Sequence, residues 1–109
     1  MSSIKDPQRI KMLFWSVFAG SKGCINRVRI ILELKNTTLN TNQLSERLRL
    51  DYKVVERHLE ILERNNLVAK AGYRYGSLYY LCEILHTNMK MFDEVAAKAQ
   101  HCKENLQLG

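Results

Sequence analysis

The sequence predicts a mostly helical protein with one small β-hairpin, built as a single domain of 109 residues. Three observations predict this class. Apolar residues recur at helical spacing in several stretches, two short β-prone runs flank a pair of glycines, and the chain contains five Gly and one Pro. So few turn-forming residues disfavour an all-β fold, and a chain of this length has room for one hydrophobic core.

The first two helices are predicted from their starts and their apolar stripes. Asp6 can cap free N–H groups and Pro7 suits the first helical position, so the first helix begins there and ends near Gly20. A second helix is predicted over about residues 26–35. We expect these apolar side chains to face inward: Ile10, Leu13, Phe14, Val17 and Phe18 from the first helix, and Val28, Ile31, Leu32 and Leu34 from the second.

A short helix and a longer helix follow in close succession. Asn40 and Gln43 have the spacing of a capping box, which opens the short helix. After a link of a few residues, Asp51 can cap a longer third helix over about residues 52–65. Asn66 can take the left-handed conformation that ends this helix. A short helix closely followed by a longer one is the helix-turn-helix arrangement.

A β-hairpin and a final helix complete the prediction. The β-prone runs at residues 67–69 and 78–81 are joined by a segment with two glycines, and from residue 82 the chain reads as helical. A hairpin directly after the longer helix supplies a wing, so the fold class is a winged helix-turn-helix with the order α-α-(β)-α-α-β-β-α. We predict one winged helix domain over residues 1–109, with its core at 24–81 and flanking helices at 5–20 and 82–106.

Residues 40–68 resemble the ArsR-like winged helix regulators, in particular their archaeal branch. The likeness lies in a leucine-bounded short helix, the turn Leu50-Asp51-Tyr52-Lys53, a helix containing His58-Leu59, and Asn66-Leu67-Val68 entering the wing, and it extends over about residues 23–81. The resemblance implies a dimeric DNA-binding repressor or activator. Asn66 stands where the family often has Gly, which a left-handed Asn tolerates. Residues 52–64 lack the cysteine pair of the metal-sensing members, so a metal-responsive role does not carry over.

The exposed face of the third helix is predicted to read duplex DNA. At about 100° per residue its Val55, Leu59 and Leu62 face inward and its cationic residues face outward, where Arg or Lys can donate to guanine in the major groove. The start of the preceding short helix suits phosphates, and the tip of the hairpin suits phosphate or the adjacent minor groove. The predicted DNA contacts are Thr41, Asn42, Gln43, Tyr52, Lys53, Glu56, Arg57, Tyr73 and Arg74.

The distribution of charge leaves a second function open. Seventeen Lys and Arg against 11 Asp and Glu give a net charge of +6, which suggests a polyanionic partner. Residues 40–66, however, carry five basic and five acidic side chains, while residues 1–35 carry seven basic and two acidic. A neutral segment suits a DNA reader of modest affinity, in which Glu56 or Glu60 accepts from cytosine or repels non-specific sites. It equally suits a module that binds a protein through the same helix.

The final helix carries a seam that can pair with a second copy of the chain. Leu85, Phe92 and Ala99 lie seven residues apart, with Met89 and Ala96 between them. The alternative is that this seam packs on the first helix of its own chain. For a homodimer, the predicted interface consists of Phe14, Phe18, Leu85, Met89, Phe92, Ala96 and Ala99.

Cysteines and histidines support no cofactor, metal or catalytic site. Cys24, Cys82 and Cys102 are odd in number and lack CxxC spacing, which favours reduced thiols in a cytoplasmic protein. Cys82 and His86 share a helical face at i,i+4, so a thiol- or metal-gated sensor is a third alternative, but two side chains make a poor zinc site. His58 is expected to be a core histidine. The chain is not expected to be an enzyme, and no stretch is long enough to span a membrane.

Overall fold

The computed structural model describes residues 6–20, 22–72 and 76–108, with side chains up to residue 99. Two antiparallel strands form the hairpin. This architecture confirms the predicted winged helix-turn-helix, with an isolated β-bridge at Leu39 where the short strand before the short helix was predicted. The helices are α1 (Pro7–Phe18), α2 (Cys24–Leu34), α3 (Thr41–Leu48), α4 (Tyr52–Arg64), α5 (Glu83–Thr87) and α6 (Met89–Leu108), and the strands are β1 (Val68–Ala71) and β2 (Leu78–Leu81).

Helices α1 and α3 begin as the sequence predicts. The Asp6 carboxylate accepts a hydrogen bond from the backbone N–H of Gln8 at 3.0 Å. At α3 the Asn40 side chain accepts from the Gln43 backbone at 2.7 Å, and the Gln43 side chain accepts from the Asn40 backbone at 2.9 Å. Both halves of the capping box are therefore formed, and they satisfy two N–H groups that lack partners within the helix.

Helix α4 begins at the predicted residue without the predicted side-chain cap. Asp51 occupies the N-cap position, but its side chain makes no capping hydrogen bond. The turn is held from α3 instead: the Ser45 hydroxyl donates to the Leu50 carbonyl at 2.6 Å, and the Leu50 N–H donates to the Ser45 carbonyl at 3.1 Å. Arg49 takes a left-handed conformation with φ 56° to make this turn. The prediction for Asp51 was wrong because contacts across the link, rather than a local cap, set the entry into α4.

The hairpin is joined to the helix-turn-helix by an isolated β-bridge at Leu39. Val68 pairs with Leu81 at the base of the β1–β2 ladder. Leu39 pairs with Tyr79 of β2 through two backbone hydrogen bonds of 3.3 and 2.8 Å. Asn66 ends α4 with φ 60°, as predicted, and leads directly into β1. Because Leu39 immediately precedes the capping residue of α3, this pairing ties the start of α3 to the wing.

The core lies where α1, α2 and α6 meet α4 and the base of the hairpin. Phe14 packs edge-on against Phe18 at 5.8 Å between ring centroids, and Phe18 packs edge-on against Phe92 at 4.9 Å. These three aromatic side chains are completely buried and link α1 to α6. The fully or almost fully buried apolar residues around them include Val28, Ile30, Ile31, Leu44, Val55, Leu59, Leu62, Leu67 and Leu85.

The residues predicted for a dimer interface lie mostly inside this chain. Five of them have no more than 2% of their surface exposed, namely Phe14, Phe18, Leu85, Phe92 and Ala99. Met89 and Ala96 are half-buried against the same core. The seam of the final helix therefore packs on its own first helix, which was the alternative. The five buried residues are therefore not available to a second copy in this arrangement, whereas Met89 and Ala96 remain partly accessible.

One apolar residue of helix α2, Leu32, faces outward although it was predicted to face inward. Leu32 is 40% exposed, whereas Ile30 is completely buried. On one side α2 packs against α1 and α6, and on the other it packs against α3, α4 and β2. Its buried arc therefore extends from Ile30 through Val28 at about 100° per residue, and Leu32 falls just beyond the edge of that arc. The prediction for Leu32 was wrong because neighbours on both sides, not the stripe itself, set this arc.

The predicted final helix is interrupted at Asn88. The Asn88 side chain donates to the Ile84 carbonyl at 2.9 Å, and the Thr87 hydroxyl donates to the Glu83 carbonyl at 3.0 Å. Short polar side chains that bond to the backbone of the preceding turn compete with helix continuation. Helix α5 consequently ends at Thr87 and α6 starts anew at Met89. Within the described residues, no helix has the length and apolar character that crossing a membrane requires.

Candidate nucleic-acid interface

Helix α4 has a buried apolar side and an exposed charged side. Val55, Leu59 and Leu62 have no more than 1% of their surface exposed. The outward side carries Lys53, whose side chain is 82% exposed, and Arg57, which is also exposed. Glu60 and Arg64 lie on this side as well. The structure thus confirms the predicted division of α4 into two faces and leaves its cationic groups accessible to a large partner.

The first turn of α4 contains a weak ion pair. The Lys53 ammonium lies 3.9 Å from the Glu56 carboxylate at i,i+3 spacing. Both side chains are about half exposed or more, and pairs of this kind contribute little to stability because water screens them. Lys53 can therefore exchange Glu56 for a phosphate or a base at small cost.

Three elements converge beside this turn and form a polar groove of about 250 Å³. The start of α3 contributes one wall, the start of α4 a second, and the hairpin a third. We call this the wing groove. The residues that line it are Asn40, Thr41, Asn42, Tyr52, Glu56, Lys70, Gly76, Ser77 and Tyr79. Four of the predicted DNA contacts, from two different helices, are thus brought to one place.

The other predicted contacts lie around or beyond the wing groove. Lys53 and Arg57 are exposed on α4 outside its lining. Gln43 is exposed too, but its side-chain oxygen is already used in the capping box, which leaves its amide NH₂ for a partner. Tyr73 and Arg74, predicted for the tip of the wing, lie outside the described residues.

Lys70 and Tyr79 belong to the wing groove, and sequence reasoning missed both. Tyr79 is half-buried and lines the groove together with Thr41. Burial raises the pKa of Tyr79, so the phenol keeps its proton at neutral pH. Lys70 is exposed on β1, directly opposite Tyr79 in the ladder. The alternation of side chains along the second strand was the signal that could have pointed to Tyr79.

A buried polar pair lies on the inner side of α4. His58 is 8% exposed, as expected of a core histidine, and its Nδ1 lies 3.2 Å from Nη1 of Arg27, which is 4% exposed. Nε of Arg27 donates to the Val17 carbonyl at 2.8 Å. Burial lowers the pKa of His58, and the positive charges of Arg27 and Arg57 lower it further. The sequence gives no hint of this pair, because Arg27 lies 31 residues upstream of His58.

Cys24 and Cys82, the cysteines with described side chains, are free thiols that form no recognisable metal centre with other described residues. Cys82 precedes α5 and is half-buried, and burial raises the pKa of its thiol, with a further contribution from Glu63. A protonated thiol is a poor ligand and a poor nucleophile. No group of three or more His, Cys, Asp or Glu side chains is placed to hold a metal ion within the part of the chain that the structure describes. Cys102, on α6, has no described side chain.

A protein-family model matches the segment that contains α3 and α4. Residues 25–70 match the family model described as bacterial regulatory protein, arsR family. These residues are thus similar to an ArsR-type helix-turn-helix domain. The matched range starts in α2 and ends in β1, so it contains all of α3 and α4. No curated protein matches the sequence.

Solved structures share the architecture at low sequence identity. Reduced HlyU from Vibrio cholerae N16961 is 20% identical, with a TM-score of 0.59 over 81% of this chain and 84% of that one. The transcriptional regulator HlyU from Vibrio vulnificus CMCP6 is 21% identical, with a TM-score of 0.56 over 89% and 88%. PcaV from Streptomyces coelicolor, a transcriptional regulator solved with its natural ligand, is 15% identical, with a TM-score of 0.57 over 97% and 83%. At these identities the likeness establishes the winged helix-turn-helix fold.

Proposed function

We propose that this chain is a cytoplasmic transcription regulator that binds specific duplex DNA as a homodimer. The observation that carries the proposal is the wing groove, where the starts of α3 and α4 and the hairpin converge beside the exposed face of α4. An ArsR-type helix-turn-helix match over residues 25–70 supports it. The archaeal character of the Leu50-Asp51-Tyr52-Lys53 turn remains a prediction.

The exposed face of α4 is the surface proposed to enter the major groove. Tyr52 and Lys53 lie in its first turn, and Arg57 follows one turn later on the same side. A guanidinium or ammonium group there can donate to O6 and N7 of guanine. Glu56, between them, can accept from N4 of cytosine, which gives a neutral helix a way to select bases rather than only to attract phosphates.

The remaining walls of the wing groove are proposed to hold the DNA backbone. Thr41 and Asn42 lie at the N-terminus of α3, where backbone N–H groups favour a phosphate. Lys70 adds a positive charge on the facing strand. Contacts of this kind fix the register of α4 on the duplex without carrying sequence information themselves.

Selection of bound sequences from a random duplex pool tests the proposal. We expect a consensus with two half-sites spaced by about one turn of DNA, roughly 34 Å, and an affinity that falls steeply with salt. A Lys53→Glu, Arg57→Glu double variant should lose binding, while Lys35→Glu on the exposed end of α2 should weaken it far less. Absence of enrichment, together with no duplex binding at low salt, contradicts the proposal.

A second copy is proposed to cover an exposed apolar surface on α1 and α6. Met12 is 67% exposed and Trp15 is 42% exposed, although both are large apolar side chains. Trp15 borders a depression of about 480 Å³ shared with Met91, and the Lys98 ammonium lies 5.8 Å from the centre of its ring. Exposed apolar side chains gathered in one place mark interaction surfaces more often than isolated ones do.

Sedimentation of matched variants tests this surface. Met12→Ser with Trp15→Ser should weaken the dimer by at least about tenfold, because buried aromatic anchors dominate interface energies. Leu32→Ser is the control, since Leu32 is also 40% exposed but lies on α2. Equal dimer dissociation constants for the two variants would place the contact elsewhere.

The neutral charge of residues 40–66 favours one alternative, a winged helix module that binds a protein partner. Five basic and five acidic side chains in this segment provide no net attraction for DNA. If the Lys53→Glu, Arg57→Glu variant kept the wild-type affinity for DNA but lost a co-purifying protein, the alternative would be favoured.

A further inference from the structure

Helix α4 is attached to the rest of the domain by a polar contact as well as by its apolar side. Nη1 of Arg27 contacts Nδ1 of His58 at 3.2 Å, in the middle of α4. The same guanidinium donates through Nε to the Val17 carbonyl at the end of α1 and through Nη2 to the Lys22 carbonyl at 3.4 Å. One arginine side chain thereby joins α1, the turn before α2, α2 itself and α4.

This contact requires a neutral histidine. A guanidinium can only donate, so Nδ1 of His58 must accept, and the proton of the neutral ring must lie on Nε2. Protonation at Nδ1 removes the acceptor and places two positive charges side by side in a site where both residues are more than 90% buried. The imidazolium and the guanidinium cannot keep their present positions.

Among the described residues, the charged groups that act on His58 are both cationic. The charged groups that act on His58 are Arg27 from α2 and Arg57 from α4, and both oppose protonation. Cys24 on α2 acts on Arg27 rather than on His58. From α1 and the turn after it, the pair receives the carbonyl oxygens of Val17 and Lys22.

Gly23 lets the ring of His58 approach the start of α2 closely, because glycine has no Cβ. It takes a left-handed conformation with φ 83°, and a Cβ at this position would lie 2.7 Å from Cε1 of His58. The ring is thus packed directly on the backbone at the start of α2. A charged ring that leaves Arg27 has little room toward the start of α2, so we expect its displacement to disturb α4, which carries it.

We propose that Arg27 and His58 are positioning residues that hold α4 in its DNA-binding orientation, and that proton uptake by His58 releases this orientation in mild acid. The part that concerns DNA rests on the proposed function; the part that concerns the position of α4 does not. The ordinary pKa of histidine is about 6.5, and above this pH the stabilisation by neutral His58 is fully present. The stabilisation is lost as the pH falls through the lowered pKa that His58 has in the folded protein. Most carboxylates and all DNA phosphates stay ionised down to about pH 5, so this window isolates histidine.

Two measurements on the full chain between pH 7.5 and 5.0 test the proposal. The first follows the amide resonances of Lys53 and Arg57 by NMR, and they should shift with the midpoint of the His58 imidazole. The second measures affinity for the duplex recovered by selection. This affinity should weaken about threefold or more as the fraction of molecules with α4 in the DNA-binding orientation falls. His58→Gln supplies an amide oxygen that accepts from Arg27 without titrating, and it should remove both effects. His86→Gln is the matched control, because His86 is exposed, and it should keep both.

The outcomes separate this inference from the proposed function. Amide shifts in the wild type that persist in His58→Gln overturn the inference, and so does a duplex affinity independent of pH in a chain that binds DNA. If the chain binds no duplex at any pH, the proposed function fails, and the amide titration still decides whether the pair positions α4. The inference is supported if His58→Gln loses both the amide shifts and the pH dependence of duplex affinity while His86→Gln keeps both.

Discussion

The wing groove and the α1–α6 surface rest on one core but expose different chemistry. Around the wing groove, side chains such as Asn40, Glu56 and Lys70 are polar or charged, and the Asn40 side chain is held by the capping box of α3. On α1, Met12 and Trp15 are apolar and exposed. The first surface suits a polyanion that is read through hydrogen bonds, and the second suits another apolar surface. The residues that line the two do not overlap.

The largest effect is expected where both surfaces depend on the shared core. Phe92 is completely buried and packs edge-on against Phe18. Phe92→Ala should lower the free energy of unfolding by about 3–5 kcal/mol, because it leaves a cavity between α1 and α6. Urea unfolding followed by circular dichroism measures the loss. Arg9→Ala, at an exposed position of α1 outside the proposed dimer surface, should change stability by less than about 0.5 kcal/mol, and similar losses for the two variants would disprove the packing described for α6.

An intermediate effect is expected on the exposed face of α4, beside the wing groove, without any loss of fold. Arg57→Ala should weaken binding to the selected duplex by about 1–3 kcal/mol if the guanidinium reads a base. Its unfolding curve should match that of the wild type, since Arg57 is exposed. Fluorescence anisotropy at fixed salt gives the affinity. Arg9→Ala, exposed on α1, is the control, and an equal loss for both would mean that only net charge matters.

The smallest effect distinguishes the two helix starts beside the wing groove. Asn40→Ala should cost about 1 kcal/mol of stability because it removes the bonded cap of α3. Asp51→Ala should cost less than about 0.5 kcal/mol, because Asp51 makes no capping hydrogen bond at α4. Thermal unfolding of the two variants in parallel makes the comparison. A larger loss for Asp51→Ala would show that its charge, not a cap, stabilises α4.

The local signals in the sequence predict most of the fold. The Asp6-Pro7 start, the Asn40–Gln43 capping box and the left-handed Asn66 all appear in the structure, because each depends on residues close together in the chain. The two faces of α4 follow for the same reason, since a period of 3.6 residues settles which side chains share a face.

The candidate site could be predicted only in part. Thr41, Asn42, Tyr52 and Glu56 were expected at the interface and do line the wing groove. Lys70 and Tyr79 join them only because β2 pairs with Leu39 and so brings the hairpin against the start of α3. A pairing between segments 40 residues apart leaves no local trace in either segment.

The sequence alone determined the cap of α1, the capping box of α3, the left-handed Asn66 after α4 and the apolar side of α4, because these properties are decided by neighbours within one or two turns. Only the tertiary structure decided that Leu32 faces water, that Phe14 and Phe92 meet inside one chain, and that Arg27 is buried against His58. Each of these outcomes depends on which element packs on which, and burial of a side chain is settled by all the neighbours that surround it.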